Sequence, residues 1–254
     1  MGAPDPAGSR RDLRSLVRSR SRPPISSRTA RVQAPHRTKA AQRVLYNQLS
    51  NALEEAAASH ARGRLVDVGC GTKPWAAIFA PHVTEHVGVD HAPGDGVDVV
   101  AGAYEVPLGD GAAGTVLMTE VLEHLEEPVR ALEEARRLLE PGGALIVTTP
   151  LLFPLHEEPR DFFRYSPFGL EHVLRRAGFE SVAVRPLSGQ WTTLAMLRGL
   201  SLEPYRRGPL LTALVDAYST VASTLAVRLD ELHFRPGFSW NHIATARKPS
   251  ESAR

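Results

Sequence analysis

The chain has 254 residues, 43% of them hydrophobic and 23% charged, which is enough apolar material for one sizeable core. Its one cysteine, Cys70, excludes an internal disulfide framework and suits a reducing compartment, so a cytoplasmic location is expected. The net charge of +2 hides an imbalance, because residues 1 to 43 hold ten arginines and Lys39 against Asp5 and Asp12, leaving the remainder acidic.

Residues 1 to 36 come first in chain order. Rich in Arg, Ser and Pro, "RSLVRSRSRPPISSRTARVQAP" lacks the apolar content of a core and is expected to be a disordered basic tail. Such an arm is either a solvated leader or a contact made with a polyanion through charge alone. It has no apolar stretch of the secretory type. "TKAAQRVLYNQLSNALEEAAA" then spaces Val44, Leu45, Leu49, Leu53 and Ala56 along one face of a helix. Five short apolar runs read as strands: "RLVDVG", "EHVGVD", "VDVV", "GTVLMT" and "GGALIVTTP". Between the last two, "EEPVRALEEARRLLEPGG" has a helical apolar face, which Pro141-Gly142-Gly143 is expected to end. Short apolar strands alternating with helical segments predict a parallel sheet covered on both faces.

Farther on, Ser166, Pro167 and Gly178 mark the cap, first turn and end of a helix over "SPFGLEHVLRRAGFE". "SVAVRP" and "NHIATARKP" read as strands, and residues 187 to 239 between them as a helical insertion serving as lid or substrate wall. Within it, "GPLLTALVDAYSTVASTLAVRLDE" is the most apolar stretch. Asp216 and several Ser and Thr interrupt it, so an amphipathic helix is expected and no membrane span. The folded domain is thus placed at 37 to 249, with 250 to 254 as a second tail.

The chemistry gathers at strand ends. In open parallel sheets ligands bind beyond the carboxyl ends of the strands, where the strand order reverses. "DVGCG" brings Asp67, Gly69, Cys70 and Gly71 to that edge, and Asp90 closes the second strand, where a carboxylate can accept both hydroxyls of a ribose. A dinucleotide loop of the form G-x-G-x-x-G needs a small third residue, so that a helix can approach the pyrophosphate. Pro74 stands there instead. Asp67 would repel a phosphate and suits a cationic amino or sulfonium group, so the residues favour S-adenosylmethionine over a dinucleotide.

Three motifs in order, "LVDVGCGTKPW", "HVGVD" and "VLMTEVLEHLEEPVRALEEARRLLEPGGALIVTTP", resemble the class I S-adenosylmethionine-dependent methyltransferases over roughly residues 40 to 185. The likeness is to the branch similar to quinone-biosynthesis methyltransferases. It implies an α/β fold: a Rossmann-like, seven-stranded, mostly parallel sheet with helices on both faces, an antiparallel last strand and a helical insertion before it. It also sets Asp67, Gly69, Cys70 and Gly71 against the methionine end of the cofactor and Asp90 on the ribose. Ala103 and Tyr104 border the adenine in this reading, and Thr119 and Glu120 line the inner face. Gly102 stands where the family often has an aspartate for the adenine amino group.

After the fifth strand, "PLLFPLHEEPRDFFRYSPFGL" is similar to a segment of methyltransferases of glycan and natural-product pathways, which implies a small-molecule or glycan-like acceptor. A hydroxyl acceptor must lose its proton, and His156 is the first candidate base, with Asp161 as its orienting partner or an alternative base. A simple Asp161–Arg164 salt bridge is the competing reading. His124 is a third candidate, and Glu157, Arg164 and Tyr165 are expected to touch the acceptor. No metal is expected, since Arg160 stands where H-E-x-x-H would need its second histidine. Two rivals remain: a nucleic-acid methyltransferase guided by the basic tail, and a non-catalytic S-adenosylmethionine-binding protein. The first is disfavoured because no N/D-P-P-Y/F tetrapeptide follows the fourth strand.

Overall fold

The computed structural model describes residues 40 to 250, with side chains from 43 onward; the basic tail read at 1 to 36 and residues 251 to 254 lie outside the described residues. Helix α1 (Ala40–His60) buries Leu45, Leu49, Leu53 and Ala56, the stripe its spacing predicts. Strand β1 (Arg64–Val68) leads through a glycine turn to the short α2 (Ala76–Phe79), β2 (Glu85–Asp90) and the two-residue β3 (Val99–Val100). Strand β4 (Ala113–Thr119), helix α3 (Pro128–Leu138) and β5 (Leu139–Pro150) follow, then α4 (Pro167–Arg176) and β6 (Glu180–Pro186). The insertion forms α5 (Gln190–Ser201) and α6 (Gly208–Leu232) before β7 (Asn241–Arg247) closes the sheet.

The described residues form a seven-stranded sheet in the order β3-β2-β1-β4-β5-β7-β6. Strands β1 to β5 pair in parallel, and β7 runs antiparallel to both β5 and β6, as the α/β reading expects. Side chains alternate between the two faces. Val66, Met118, Leu145 and Val147 pack with Leu132 of α3 and Leu170 of α4, whereas Leu65, Leu117 and Ile146 pack with Leu53 of α1 and Phe79. The strand order reverses between β1 and β4, and a crevice opens beyond their carboxyl ends.

Two details depart from the sequence reading. Helix α3 stops at Leu138, three residues before Pro141, because Leu139 is already buried in the sheet opposite Ala113. The register then jumps to Thr115 opposite Ala144, so residues 140 to 143 bulge, with Gly142 at φ +74. Helix α4 needs no such correction: the Ser166 hydroxyl accepts from the Gly169 amide at 3.1 Å, and Gly178 follows the last turn at φ +85.

The second departure is α6. Its inward face is small and polar, with Ser219, Ser223, Ala226 and Asp230 buried, while its leucines face out. The Asp230 carboxylate accepts from the backbone amides of Gly189, Trp191 and Thr192 and so caps the start of α5. The expected amphipathic helix is therefore inverted. Among the described residues α6 is also the one helix long and apolar enough to cross a membrane by length and composition, a test that Asp216 does not make it fail.

Candidate active site

The crevice holds a cleft of about 560 Å³ lined by residues from the ends of β1, β2 and β4 and from the segment after β5. Beyond Val68 the chain turns through Gly69 at φ +73 and Gly71 at φ +50. The Gly69 and Cys70 amides donate to the Val89 carbonyl at 2.8 and 3.1 Å, and the Gly71 amide donates to Asp90 Oδ2 at 3.0 Å. Asp90 therefore both closes the loop and lines the cleft. A Cβ on Gly69 would stand 2.4 Å from Val121 Cγ2, so no side chain fits there, while Gly71 faces open space. Lys73 donates to the His86 carbonyl and pairs with Asp98. Pro74 leads into α2, which is only four residues long and brings no extended helix dipole to a phosphate.

The next wall is Ala101 to Tyr104. The Tyr104 hydroxyl accepts from the Glu127 amide at 3.1 Å, and the Arg130 guanidinium lies over its ring at 5.1 Å. Glu120, at φ +55, follows the last residue of β4 and lines the inner wall. Asn241 Nδ2 lies 2.8 Å from each of its carboxylate oxygens, and Thr148 Oγ1 donates at 2.7 Å. Burial pushes the Glu120 pKa up, and these donors pull it back.

The outer wall carries His124, Glu157, Arg160 and Phe162. His124 Nδ1 lies 2.5 Å from the Arg160 carbonyl oxygen, and Nε2 lies 3.9 Å from Glu157 Oε2. Five carboxylates line the cleft, from Asp90, Glu120, Glu126, Glu127 and Glu157, against the guanidinium of Arg160. Such a lining attracts a cation and repels a pyrophosphate. The open glycine cradle, the Asp90 carboxylate and this charge balance fit S-adenosylmethionine.

Several expected residues sit elsewhere. The Asp67 side chain is buried beneath the loop, where Oδ2 meets His86 Nε2 at 3.0 Å and Oδ1 has no partner; burial raises its pKa and the His86 bond lowers it. Cys70 turns its thiol onto the Gly96 carbonyl, away from the cleft, and burial pushes that thiol up to about 11. Thr119 stops one residue short of the wall. His156 does not line the cleft: its ring packs edge-on against His124, centroids 4.8 Å apart, and against Phe153.

Asp161 is fully engaged. Its two oxygens take a bidentate pair from Arg164 at 2.5 and 2.7 Å, and Oδ2 also accepts the His156 amide at 3.0 Å. The guanidinium holds this carboxyl well below the usual range, which leaves it a poor base. Arg164 spends its other donors on the carbonyls of Phe153, Pro154 and Phe163, and Tyr165 is buried with its hydroxyl donating to the Leu122 carbonyl at 3.4 Å. The salt-bridge reading of this pair is therefore the one the geometry favours, and neither Arg164 nor Tyr165 lines the cleft.

Arg160, Phe162, Asn241 and Glu123 were not singled out from sequence. Glu123 is fully buried, neither carboxyl oxygen has a hydrogen-bond partner, and burial with Glu120 nearby pushes it up to about 9. Two glutamates three apart in "TEVLEH", straight after a strand, were the available signal. Glu123, His124 and His156 also bring ligand-type atoms within 4.8 Å of one another, a grouping that a search for H-E-x-x-H cannot find.

A family model described as a methyltransferase domain matches residues 39–184, more than half of the chain. A protein of Mycolicibacterium smegmatis named a probable S-adenosylmethionine-dependent methyltransferase is 29% identical over 132 residues, 46% of this chain and 51% of that protein. The chain thus spans about half the length of that relative. A ubiquinone biosynthesis O-methyltransferase of Cereibacter sphaeroides is 28% identical over 177 residues, 52% of this chain and 68% of that one. Among solved structures, the [4+2]-cyclase SpnF superposes with a TM-score of 0.57 at 23% identity over 86% of both chains. A SAM dependent methyltransferase from Archaeoglobus fulgidus superposes with a TM-score of 0.52 at 18% identity, covering 80% of this chain and 94% of that one. At such identities the structural likeness shows the shared fold.

Proposed function

The chain belongs to the methyltransferase domain family, and from that premise we propose that this S-adenosylmethionine-dependent enzyme methylates a hydroxyl of a small-molecule or glycan-like acceptor. When bound, S-adenosylmethionine supplies a methyl group already activated by its sulfonium, so the protein has to align the acceptor, exclude water and take up a proton. Gly69 and Gly71 would cradle the amino-acid end, Asp90 would hold the ribose, and Ala103 with Tyr104 would flank the base. Glu120, kept in place by Asn241 and Thr148, would face the cationic end.

One observation carries the hydroxyl reading: the hydrogen bond between His124 Nδ1 and the Arg160 carbonyl. A carbonyl only accepts, so Nδ1 carries a proton, and in the neutral imidazole the lone pair is then on Nε2. His124 on the cleft wall is therefore the base of this proposal, in place of His156 or Asp161. Glu157, 3.9 Å from Nε2, would stabilise the imidazolium that follows. General-base help of this kind contributes about 10²–10⁴-fold in rate. His156 is left as a positioning residue whose ring edge sets the His124 plane. The Phe162 ring, with the Arg160 guanidinium and Glu157 carboxylate on the same wall, suits a hydroxylated ring as acceptor. An acidic cleft speaks against a nucleic-acid substrate. The buried thiol of Cys70 agrees with a cytoplasmic setting, which is part of this proposal.

The test is methyl transfer from labelled S-adenosylmethionine to a panel of hydroxylated acceptors, with wild type and His124→Ala. The variant should lose about 10²-fold at neutral pH, keep wild-type affinity for S-adenosylhomocysteine, and recover partly as pH rises. Unchanged transfer in the variant would remove His124 from the chemistry. Transfer by wild type to amines alone would refute the hydroxyl acceptor.

A further inference from the structure

Helix α6 turns eight large apolar side chains outward, among them Leu214, Tyr218, Val221 and Leu225, all about half exposed or more. Together they form a continuous apolar face of the kind one partner contributes to an interface, about 800 Å² in one of standard size. A single chain rarely leaves so large a patch uncovered without a use for it.

The spacing has a symmetry. Leu211 and Leu232, Leu214 and Leu229, and Tyr218 and Leu225 stand at equal distances on either side of the midpoint between Val221 and Ala222. At 3.6 residues per turn these positions and Val221 fall within an arc of about 80°. A stripe that reads alike from both ends is self-complementary: turned end over end, it sets apolar residue against apolar residue at every level. An isologous two-fold interface has this requirement. Antiparallel pairing also opposes the two helix dipoles.

The surroundings favour a second copy over lipid. The inward face of α6 is docked on α5 through Asp230, and Asp216 is held by Arg206 at 2.8 Å, so the helix cannot be wrapped by lipid on all sides. An interfacial helix is rich in lysine and arginine on its polar face. Here the helix holds Asp216, Asp230 and Glu231 against one basic residue, Arg228, which is paired with Glu231 at 3.0 Å. We infer that α6 is the self-association surface of this protein, two copies packing antiparallel about a two-fold axis at Val221 and Ala222.

Sedimentation velocity on the full chain should give twice the chain mass of 27.7 kDa at micromolar concentration. Leu214→Glu combined with Leu225→Glu should give the single-chain mass, with circular dichroism and S-adenosylhomocysteine binding unchanged, because both side chains point away from the core. Orientation is read by cysteine pairs in a chain whose own Cys70 is buried. Under mild oxidation Val221→Cys should form a disulfide-linked dimer, and Leu211→Cys should not, since antiparallel packing separates position 211 from its mate by about 31 Å. A wild type that stays single at every concentration, a glutamate variant that stays paired, or equal cross-linking at both positions would each overturn the proposal. Co-sedimentation of single chains with phosphatidylcholine vesicles would overturn it too and give the face to lipid.

Discussion

The two walls of the cleft are held by different means. The wall on the strand ends is fixed by backbone: Gly69 and Cys70 donate to Val89, Gly71 donates to Asp90, and Gly69 has no room for a side chain. The wall formed by residues 151 to 165 has no strand ladder: backbone bonds anchor only its ends, Leu151 and Leu152 donating to Trp240 and Phe162 and Phe163 to Glu123, and between them the Arg164 and Asp161 side chains tie together Phe153, Pro154 and His156. On the first wall the Asp90 carboxylate, which accepts from Gly71 and pairs with His91 at 2.8 Å, still lines the cleft where a ligand can meet it. On the second, the charged groups that look most reactive in sequence are consumed in shaping the loop. Charge density in a loop measures how much its backbone needs holding before it measures chemistry.

The largest effect should come from the second wall. Asp161→Ala leaves the Arg164 guanidinium without its carboxylate and should cost about 3 kcal/mol in denaturant unfolding, with affinity for S-adenosylhomocysteine unchanged. If turnover vanished while stability held, Asp161 would belong to the chemistry and the contrast between the walls would collapse. Next comes the first wall. Asp90→Ala removes a charge-assisted bond to Gly71 and the expected ribose contact, and calorimetry should show affinity for S-adenosylhomocysteine falling about tenfold to a hundredfold. An unaffected affinity would mean that the cofactor is not held at the β2 end. Gly69→Ala, with its added Cβ 2.4 Å from Val121 and φ at +73, should lower unfolding free energy by about 1–3 kcal/mol, and a neutral result would show that the loop can shift.

A pH dependence is expected at Glu123, which lies between the walls. Its pKa is raised from 4.5 to about 9, chiefly by burial, so the folded protein holds a proton that the unfolded chain has released. Stability from this group is therefore full below pH 4.5 and declines as pH rises toward 9. Glu123→Gln needs no proton. Its Tm should match wild type near pH 4.5 and exceed it by a few degrees at pH 8, as scanning calorimetry would show; equal pH profiles would mean that Glu123 ionises in the fold.

Much of this molecule was legible without coordinates, and the legible parts share a cause. The strands, the Ser166 cap, the glycine turn and Asp90 at a strand end depend on residue periodicity and backbone conformation, which neighbours in sequence encode. The family likeness rests on those same local motifs in order. Side-chain direction and ionisation answer to groups far away along the chain. Glu120 is held by Asn241, 121 residues on, and His124 by the Arg160 carbonyl, 36 residues on. Asp67 turned to His86, and His156 turned away from the cleft, because packing and not motif decided which face each side chain could occupy. The inverted faces of α6 have the same origin, since its small residues are buried where α5 comes close and its leucines are left outside. The sequence by itself thus determined the sheet and the loop through backbone requirements, and the kind of cofactor through the order of its motifs, although Asp67, which argued for that cofactor by its charge, lies beneath the loop. Only the tertiary structure decided which charged groups face the cleft and which face of α6 is exposed, because those depend on contacts between segments that no local pattern records.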